Sequence, residues 1–222
     1  MLAPVRTEII YPSRDGKRMA DNTLQYRWIT AIESALQALF RNDPNVFVAA
    51  DLLWYPAEGF DKISVAPDVM VAFGRPKSDR TSYLQWQEDD IAPQVVFEIL
   101  SDSNDHWEMR NKQDFYEDHG VEEYYEYDPL KKQFYGCFRD GGFFRRIPRS
   151  GSWTSPLLKV RFEMRPDLQL FRPDGTRFLS YLELEEDRDR ERQRAEQAES
   201  ELQEALNLLK EKGIVLDLPG KG

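Results

Sequence analysis

The sequence predicts an α/β or α+β domain built on a mixed β-sheet and followed by a charged helical tail. Three observations carry that expectation. Apolar residues recur at helical spacing in an early and a central segment. Short runs rich in Val, Ile, Phe and Tyr stand between and after those segments, bounded by Gly, Pro and Asp. From Tyr181 onward the composition turns abruptly to charged helix formers. With 222 residues, 41% of them hydrophobic and 13% aromatic, the chain can bury one substantial core, so residues 1–180 are expected as one domain and 181–222 as an appendage.

The first helix lies in DNTLQYRWITAIESALQALFRND, where Trp28, Ile29, Ile32, Leu36, Leu39 and Phe40 recur at helical spacing behind Asp21 and Asn22, both able to cap the first turn. VFVAADLLWYP and SVAPDVMVAFG follow as two strands joined by AEGFDKI, hence a hairpin or near neighbours in one sheet. RPKSDRTSYLQWQEDDIA is a polar insertion ahead of PQVVFEIL, a strand apolar enough to be buried on both faces. DHWEMRNKQDFYEDHG reads as a helix ending at Gly120, a C′ glycine, and VEEYYEYDP as a strand stopped by Pro129. KQFYGCFRDGGFFRRIP turns as a hairpin at Asp140-Gly141-Gly142, and LLKVRFEMRPDLQLFRPDGTRFL supplies more short strands. In the tail, Ala195, Ala198, Leu202, Ala205 and Leu209 step by three and four, a narrow coiled-coil-like seam interrupted upstream by Arg188 and Glu191. Two readings of that tail stand open: self-association, or a solvated helix packed on its own domain.

MLAPVRTEIIYPSRDGKR contains no sustained apolar stretch of the secretory kind, and no run is long enough to span a bilayer, so a soluble cytoplasmic protein without a membrane partner is expected. The single cysteine, Cys137, excludes an internal disulfide and a multi-cysteine zinc site. A net charge of −10 argues against nonspecific coating of nucleic acid while leaving room for a local basic patch. No Walker loop, nucleophile-elbow serine motif or zinc-protease helix motif occurs.

Glu98 stands in the middle of the buried strand PQVVFEIL. An ionised carboxylate there is costly unless it is paired or binds a metal. Asp68 opens the strand of APDVMVAF directly after Pro67. If the two strands pair, both carboxylates converge at one sheet edge, where hard oxygen ligands suit Mg²⁺ or Mn²⁺. The alternatives are an Asp68 that accepts backbone hydrogen bonds at a strand entry and a Glu98 paired with Lys112 without a metal. Lys112 could equally pair with Glu108, one turn earlier on the same helix.

Pro-Asp on one strand and an acid on the next resembles the PD-(D/E)XK nuclease superfamily, the restriction endonuclease-like fold. The usual acid-any-lysine continuation is absent, since Ile99 and Leu100 follow Glu98, and the resemblance to branches that move the lysine to the following helix points to Lys112. A closer resemblance covers most of residues 20–180. Pro67 and Asp68, Glu98 and Ser101, Lys112 and Tyr116, Gly120 and Val121, Glu123 and Tyr124, Asp128 and Pro129 follow the ordered pattern of the bacterial Uma-type endonuclease family. The charged tail is similar to those of many members. The resemblance implies a restriction endonuclease-like mixed sheet flanked by helices, with added antiparallel strands and a C-terminal charged coiled-coil-like helix. It also implies metal-assisted phosphodiester hydrolysis. Asp68, Glu98 and the Ile99 backbone carbonyl would hold Mg²⁺ or Mn²⁺, and Lys112 would position the attacking water. Gln25, where the family often places a polar residue, and Asp51 are auxiliary candidates, while Tyr116 and Tyr124 read as packing residues.

For nucleic-acid contact, Arg75, Lys77 and Arg80 stand interleaved with Tyr83 and Trp86; the plain alternative is a surface loop, given Glu88, Asp89 and Asp90. A second basic candidate is the hairpin carrying Arg139, Arg145, Arg146 and Arg149. Two functions of different class follow. One is a Mg²⁺-dependent endonuclease acting on nucleic acid, DNA first, as a homo-oligomer with a dimer favoured. The other is a nuclease-fold protein that no longer cuts and works as an interaction module through its tail.

Overall fold

The structure, a computed structural model, describes residues 9–148 and 151–212. Helix α1 spans Thr23–Leu39 and begins where the Asn22 side chain accepts hydrogen bonds from the Leu24 and Gln25 amides at 3.0 and 2.9 Å. Strands β1 (Val46–Ala49), β3 (Val69–Phe73), β5 (Val95–Ile99), β6 (Glu123–Asp128), β7 (Gln133–Asp140) and β8 (Phe143–Arg146) make a six-stranded sheet in the order β1-β3-β5-β6-β7-β8. β5 and β6 run parallel and the other neighbours antiparallel, so the sheet is mixed, as expected. A parallel pair needs a crossover, and α2 (His106–Asp118) supplies it, ending before Gly120 at φ +93°. β9 (Ser152–Thr154), β10 (Arg161–Met164) and β11 (Leu168–Phe171) form a small antiparallel sheet.

Side chains alternate across a strand, and this alternation sorts the core into two layers. Val46, Val48, Val69, Val71, Val95, Phe97, Ile99, Tyr125 and Tyr127 pack with Ile29, Ile32 and Leu36 of α1 and with Phe162, Leu168 and Leu170 of the small sheet. Phe47, Met70, Ala72, Val96, Tyr124 and Cys137 point the other way, onto Tyr116 of α2 and Val121. Glu98 follows Phe97 in β5 and so shares the face of Val96, towards α2.

Two expectations are corrected. VFVAADLLWYP is not one strand: Asp51 adopts φ +50° and divides it into β1 and β2 (Trp54–Tyr55). Aspartate enters the left-handed region at lower cost than a branched residue, and the Asp51 N–H gives a hydrogen bond to the Pro67 carbonyl at 3.1 Å. The polar insertion is not all loop either, because its β4 (Tyr83–Leu84) pairs in parallel with β2.

From Leu179 the described residues belong to a second compact unit. Its helix α3 (Tyr181–Glu211) opens with a reciprocal capping box between Ser180 and Glu183. Pairs one turn apart, such as Glu185–Arg188, Glu191–Arg194 and Arg192–Glu196, support it along its length. Among the described residues no helix is long and apolar enough to cross a membrane.

Gly136 of β7 tests the tightness of the layer between the sheets. A Cβ there would lie 2.8 Å from the Tyr125 ring and 2.9 Å from Ile147 Cδ1, both buried. Gly136→Ala is expected to lower stability by about 1–3 kcal/mol, read as a lower urea midpoint at unchanged slope. An unshifted midpoint would mean that the Tyr125 ring yields freely.

Candidate active site

The antiparallel register of β3 and β5 sets Val69 opposite Phe97, which brings Asp68, just ahead of β3, level with Glu98. The Ile99 N–H donates to Asp68 Oδ2 at 2.6 Å, so this carboxylate continues the ladder where the strand's own backbone pairing stops. Glu98 is 2% exposed. Lys112 Nζ donates to its Oε2 at 2.7 Å, and the Tyr116 hydroxyl donates to its Oε1. Lys112 and Tyr116 are four residues apart on α2, hence on one helix face. The Lys112 side chain keeps 20% of its exposure against 3% for Glu98, so solvent reaches the pair from the lysine's side.

Helix α1 supplies a third wall. Gln25 is buried, its Nε2 donating to the Ile99 carbonyl at 2.7 Å and its Oε1 accepting from the Asp21 N–H at 2.8 Å. The Ser101 hydroxyl bonds Asp21 Oδ2 at 2.8 Å, and that of Ser103 meets the same oxygen, tying the β5–α2 loop to the start of α1. Asp51 joins from the turn after β1, anchored on Pro67.

The charges of these groups act on one another. Burial pushes the Asp68 carboxyl well above its ordinary value, and the Glu98 charge adds to that push against the opposing pull of Lys112 and the Ile99 amide. Partial burial, then the charge of Asp15, raises Asp51, with Lys112 opposing. Burial alone would lower the Lys112 ammonium, but Glu98 and Asp68 outweigh it and hold it above the ordinary lysine value. Tyr116, buried beside Glu98, is raised well above the ordinary phenol and stays a donor.

Asp51, Asp68 and Glu98 thus set three carboxyl groups against one ammonium. Hard oxygens with surplus negative charge suit a Mg²⁺- or Mn²⁺-like cation. No group of three or more His, Cys, Asp or Glu able to hold an ion occurs among the described residues. An ion here would therefore rest on Asp68, Glu98 and the Ile99 carbonyl with water completing its shell, the sparse protein ligation that Mg²⁺ accepts.

Residues 16–165 match the family model "Uma2: Putative restriction endonuclease". The chain belongs to this Uma2 family. The matched stretch contains Gln25, Asp51, Asp68, Glu98 and Lys112 and stops short of α3. A solved structure titled "Crystal structure of a putative nuclease belonging to DUF820 from Anabaena variabilis ATCC 29413" is similar with a TM-score of 0.46 and 14% identity, covering 61% of this chain and 73% of that one. No curated protein matches the chain.

Lys112 pairs with Glu98 and not with Glu108, whose carboxylate meets Lys17 Nζ at 3.5 Å instead. Tyr116, expected only to pack, is a partner of Glu98; its spacing of four from Lys112 was the available signal. The insertion's basic residues each have a partner within the chain. Arg75 pairs with Glu88 at 2.9 Å and also with Asp89, Arg80 pairs with Glu88 and lies over the Phe47 ring at 4.0 Å, and Lys77 donates to the Phe40 carbonyl. The Arg75 and Arg80 side chains are 13% and 8% exposed, and their pairs hold the insertion against the fold. On the hairpin, Arg145 pairs with Asp140 at 3.0 Å, Arg146 lies over the Tyr135 ring at 4.7 Å, and Arg139 donates to the Val121 carbonyl at 2.9 Å. Arg149 lies outside the described residues. A cleft of about 840 Å³ runs along another flank of α2, past His106, Arg110, Gln113, Glu126 and Arg146, without touching Asp68, Glu98 or Lys112.

Burial works to raise the Glu88 carboxyl, yet its bonds and charge pairing with Arg80 and Arg75 prevail and hold it below the ordinary 4.5. A carboxyl lowered by folding contributes stability in full above its unfolded value and loses it as pH falls through the folded one. Glu88→Gln is expected to cost about 3 kcal/mol at pH 7 and clearly less under acid, where the wild-type carboxyl is protonated too. Urea midpoints of both proteins across that range check this; an equal gap at every pH would contradict it.

Proposed function

We propose that this Uma2 family member is an endonuclease that hydrolyses phosphodiester bonds of nucleic acid, DNA in the first place, using Mg²⁺ or Mn²⁺ held by Asp68, Glu98 and the Ile99 carbonyl. The observation that carries this reading is the 2.7 Å contact between Lys112 Nζ and Glu98. It supports a lysine supplied by the helix in place of the one missing after Glu98. The bound cation would polarise a phosphate oxygen and acidify water in the site.

The chain's own groups have separable tasks. Lys112 keeps its proton because Glu98 and Asp68 hold it, so it can orient an attacking water by hydrogen bonding and offset charge gathering on the phosphoryl oxygens. Tyr116, a protonated donor on Glu98 Oε1, fixes that carboxylate's orientation. Gln25 fixes the Ile99 carbonyl through one lone pair and leaves the other. Asp51 adds negative charge at the mouth. Cutting both strands of a duplex calls for two such sites, which we assign to a homodimer.

One observation favours a second reading. Glu98 has a protein donor on each oxygen, and the Ile99 carbonyl accepts from Gln25, so this polar set is closed without an ion. A nuclease fold that had ceased to cut and served as an interaction module through α3 would keep the same bonds for stability.

Cleavage of plasmid and single-stranded DNA with Mg²⁺, Mn²⁺ or EDTA separates the two. Cutting by the wild type and none in EDTA is expected, with Asp68→Ala, Glu98→Gln and Lys112→Met each slower by on the order of 10²–10³-fold or more. Removing the Lys112 charge also strands a buried carboxylate at about 3–5 kcal/mol, so the folded fraction of each variant is measured by circular dichroism first. A folded wild type that cuts nothing with either ion would hand the site to the interaction module.

A further inference from the structure

An acidic site that accepts a polyanion needs cations at its mouth. Any nucleic-acid strand entering here meets Asp51, Asp68, Glu98 and Glu108 on a chain of net charge −10. Arg75 and Arg80 are tied to Glu88 beneath the surface, and Lys77, though exposed, gives its Nζ to the Phe40 carbonyl. The remaining basic run beside the site is SRDGKR, residues 13–18, in the irregular segment that precedes α1.

That segment is fastened at both ends. At its start, the Tyr11 ring packs on Tyr55 and Trp86 with centroids 5.3 and 4.8 Å apart. The Tyr11 hydroxyl accepts from the Gly59 amide at 2.6 Å, and the Tyr55 hydroxyl donates to the Pro12 carbonyl at 2.8 Å. At its end, Asp21 binds the hydroxyls of Ser101 and Ser103 and gives its N–H to Gln25, the residue that holds the Ile99 carbonyl. Between these anchors it runs past the acids. Lys17 Nζ stands 3.5 Å from Glu108, one helical turn before Lys112, and the charge of Asp15 reaches Asp51. A turn at Gly16, with the Lys17 N–H donating to Asp15 Oδ1 at 2.8 Å, sets Arg14 and Lys17 on either side of it. Arg14, Lys17 and Arg18 are all exposed. Lys17 makes only the long pair with Glu108, at 72% side-chain exposure, and Arg14 and Arg18 make no ion pair among the described residues.

We propose that this segment is a basic strap across the mouth of the site, in which Arg14, Lys17 and Arg18 grip the backbone phosphates that flank the bond presented to Asp68, Glu98 and Lys112; it rests on the endonuclease reading for that bond alone. Phosphate contacts of this kind position a strand without reading its sequence, so the strap predicts affinity and register, not base preference. Glu108 then has a definite part: it holds Lys17 loosely in the free protein and yields it to a phosphate.

Binding tests this apart from cutting. Fluorescence anisotropy of a short labelled duplex and of its single strand is followed through a NaCl titration, in EDTA and again with Ca²⁺. The wild type is compared with the triple variant Arg14→Ala, Lys17→Ala, Arg18→Ala and with a charge-matched control, Arg190→Ala, Arg192→Ala, Arg194→Ala in α3. Each phosphate contact contributes about 0.9 to the slope of log K against log salt on duplex, so the strap variant is expected to lose about 2–3 from that slope and at least roughly tenfold in affinity, while the control keeps both. A strap variant with the wild-type slope and affinity would overturn the proposal, as would a wild type that binds neither DNA. Strap-dependent binding by a protein that never cuts would leave the strap standing and remove the endonuclease reading. Cutting with strap-independent binding would do the reverse.

Discussion

The rest of the site depends on a carboxylate placed where a carboxylate is expensive. Glu98 sits within a strand whose five residues are all buried, and on the face that packs against α2. Left unpaired, a buried carboxylate is costly and would loosen the sheet. Lys112 and Tyr116 pair it, one by charge and one by hydrogen bond, and both come from a single turn of α2. The cost of burying Glu98 therefore fixes the rotational setting of the helix: turning α2 by one residue would withdraw both donors together. Packing of Tyr116 into the layer of Val96 and Tyr124 reinforces that setting.

Strand register makes the second half of the site. Because side chains alternate, a slip of one residue between β3 and β5 would swap Val96 and Glu98 with Phe97 and Ile99, burying the acid in the apolar layer packed on α1. The observed register also sets the Ile99 amide against Asp68 and the Ile99 carbonyl against Gln25, so one peptide neighbourhood is clamped from β3 and from α1. The parallel pairing of β5 with β6 then requires a crossover, and that crossover is α2 itself. The connection that topology demands is thus the element that delivers Lys112.

Much of this was legible in the chain, and the parts that were not share a cause. The alternation of VVFEI, the Pro-Asp entry to β3 and the helical period of α1 are local patterns, and each produced the element expected of it. Asp68 and Glu98 were readable for the same reason, whereas Lys112 came from the family resemblance. What escaped was contact between segments with no periodic signature. Glu88 in a stretch of acids looked like solvent-facing charge, yet it is buried between Arg75 and Arg80, which turns an apparent phosphate patch into an internal clasp. Asp51 was an auxiliary candidate, but inside VFVAADLLWYP nothing signalled the left-handed turn that leans on Pro67. Tyr116 was read as packing because a phenol ring gives no sign in sequence of what its hydroxyl touches.

The ion pair between Lys112 and Glu98 and the proposed binding of a cation by Glu98 would not be competing uses of one group. A carboxylate offers about four lone-pair sites, and Lys112 and Tyr116 occupy two of them. The pair alone does not account for the surroundings: Asp68 and Asp51 stand beside it as further acids, both raised first by burial and then by neighbouring carboxylates, with Lys112 opposing. A site built only for stability would gain by losing those acids, since each worsens the other's burial. Their presence beside a satisfied Glu98 makes sense if positive charge arrives from outside the chain. Lys112 would then offset part of the repulsion among the acids while that charge is absent.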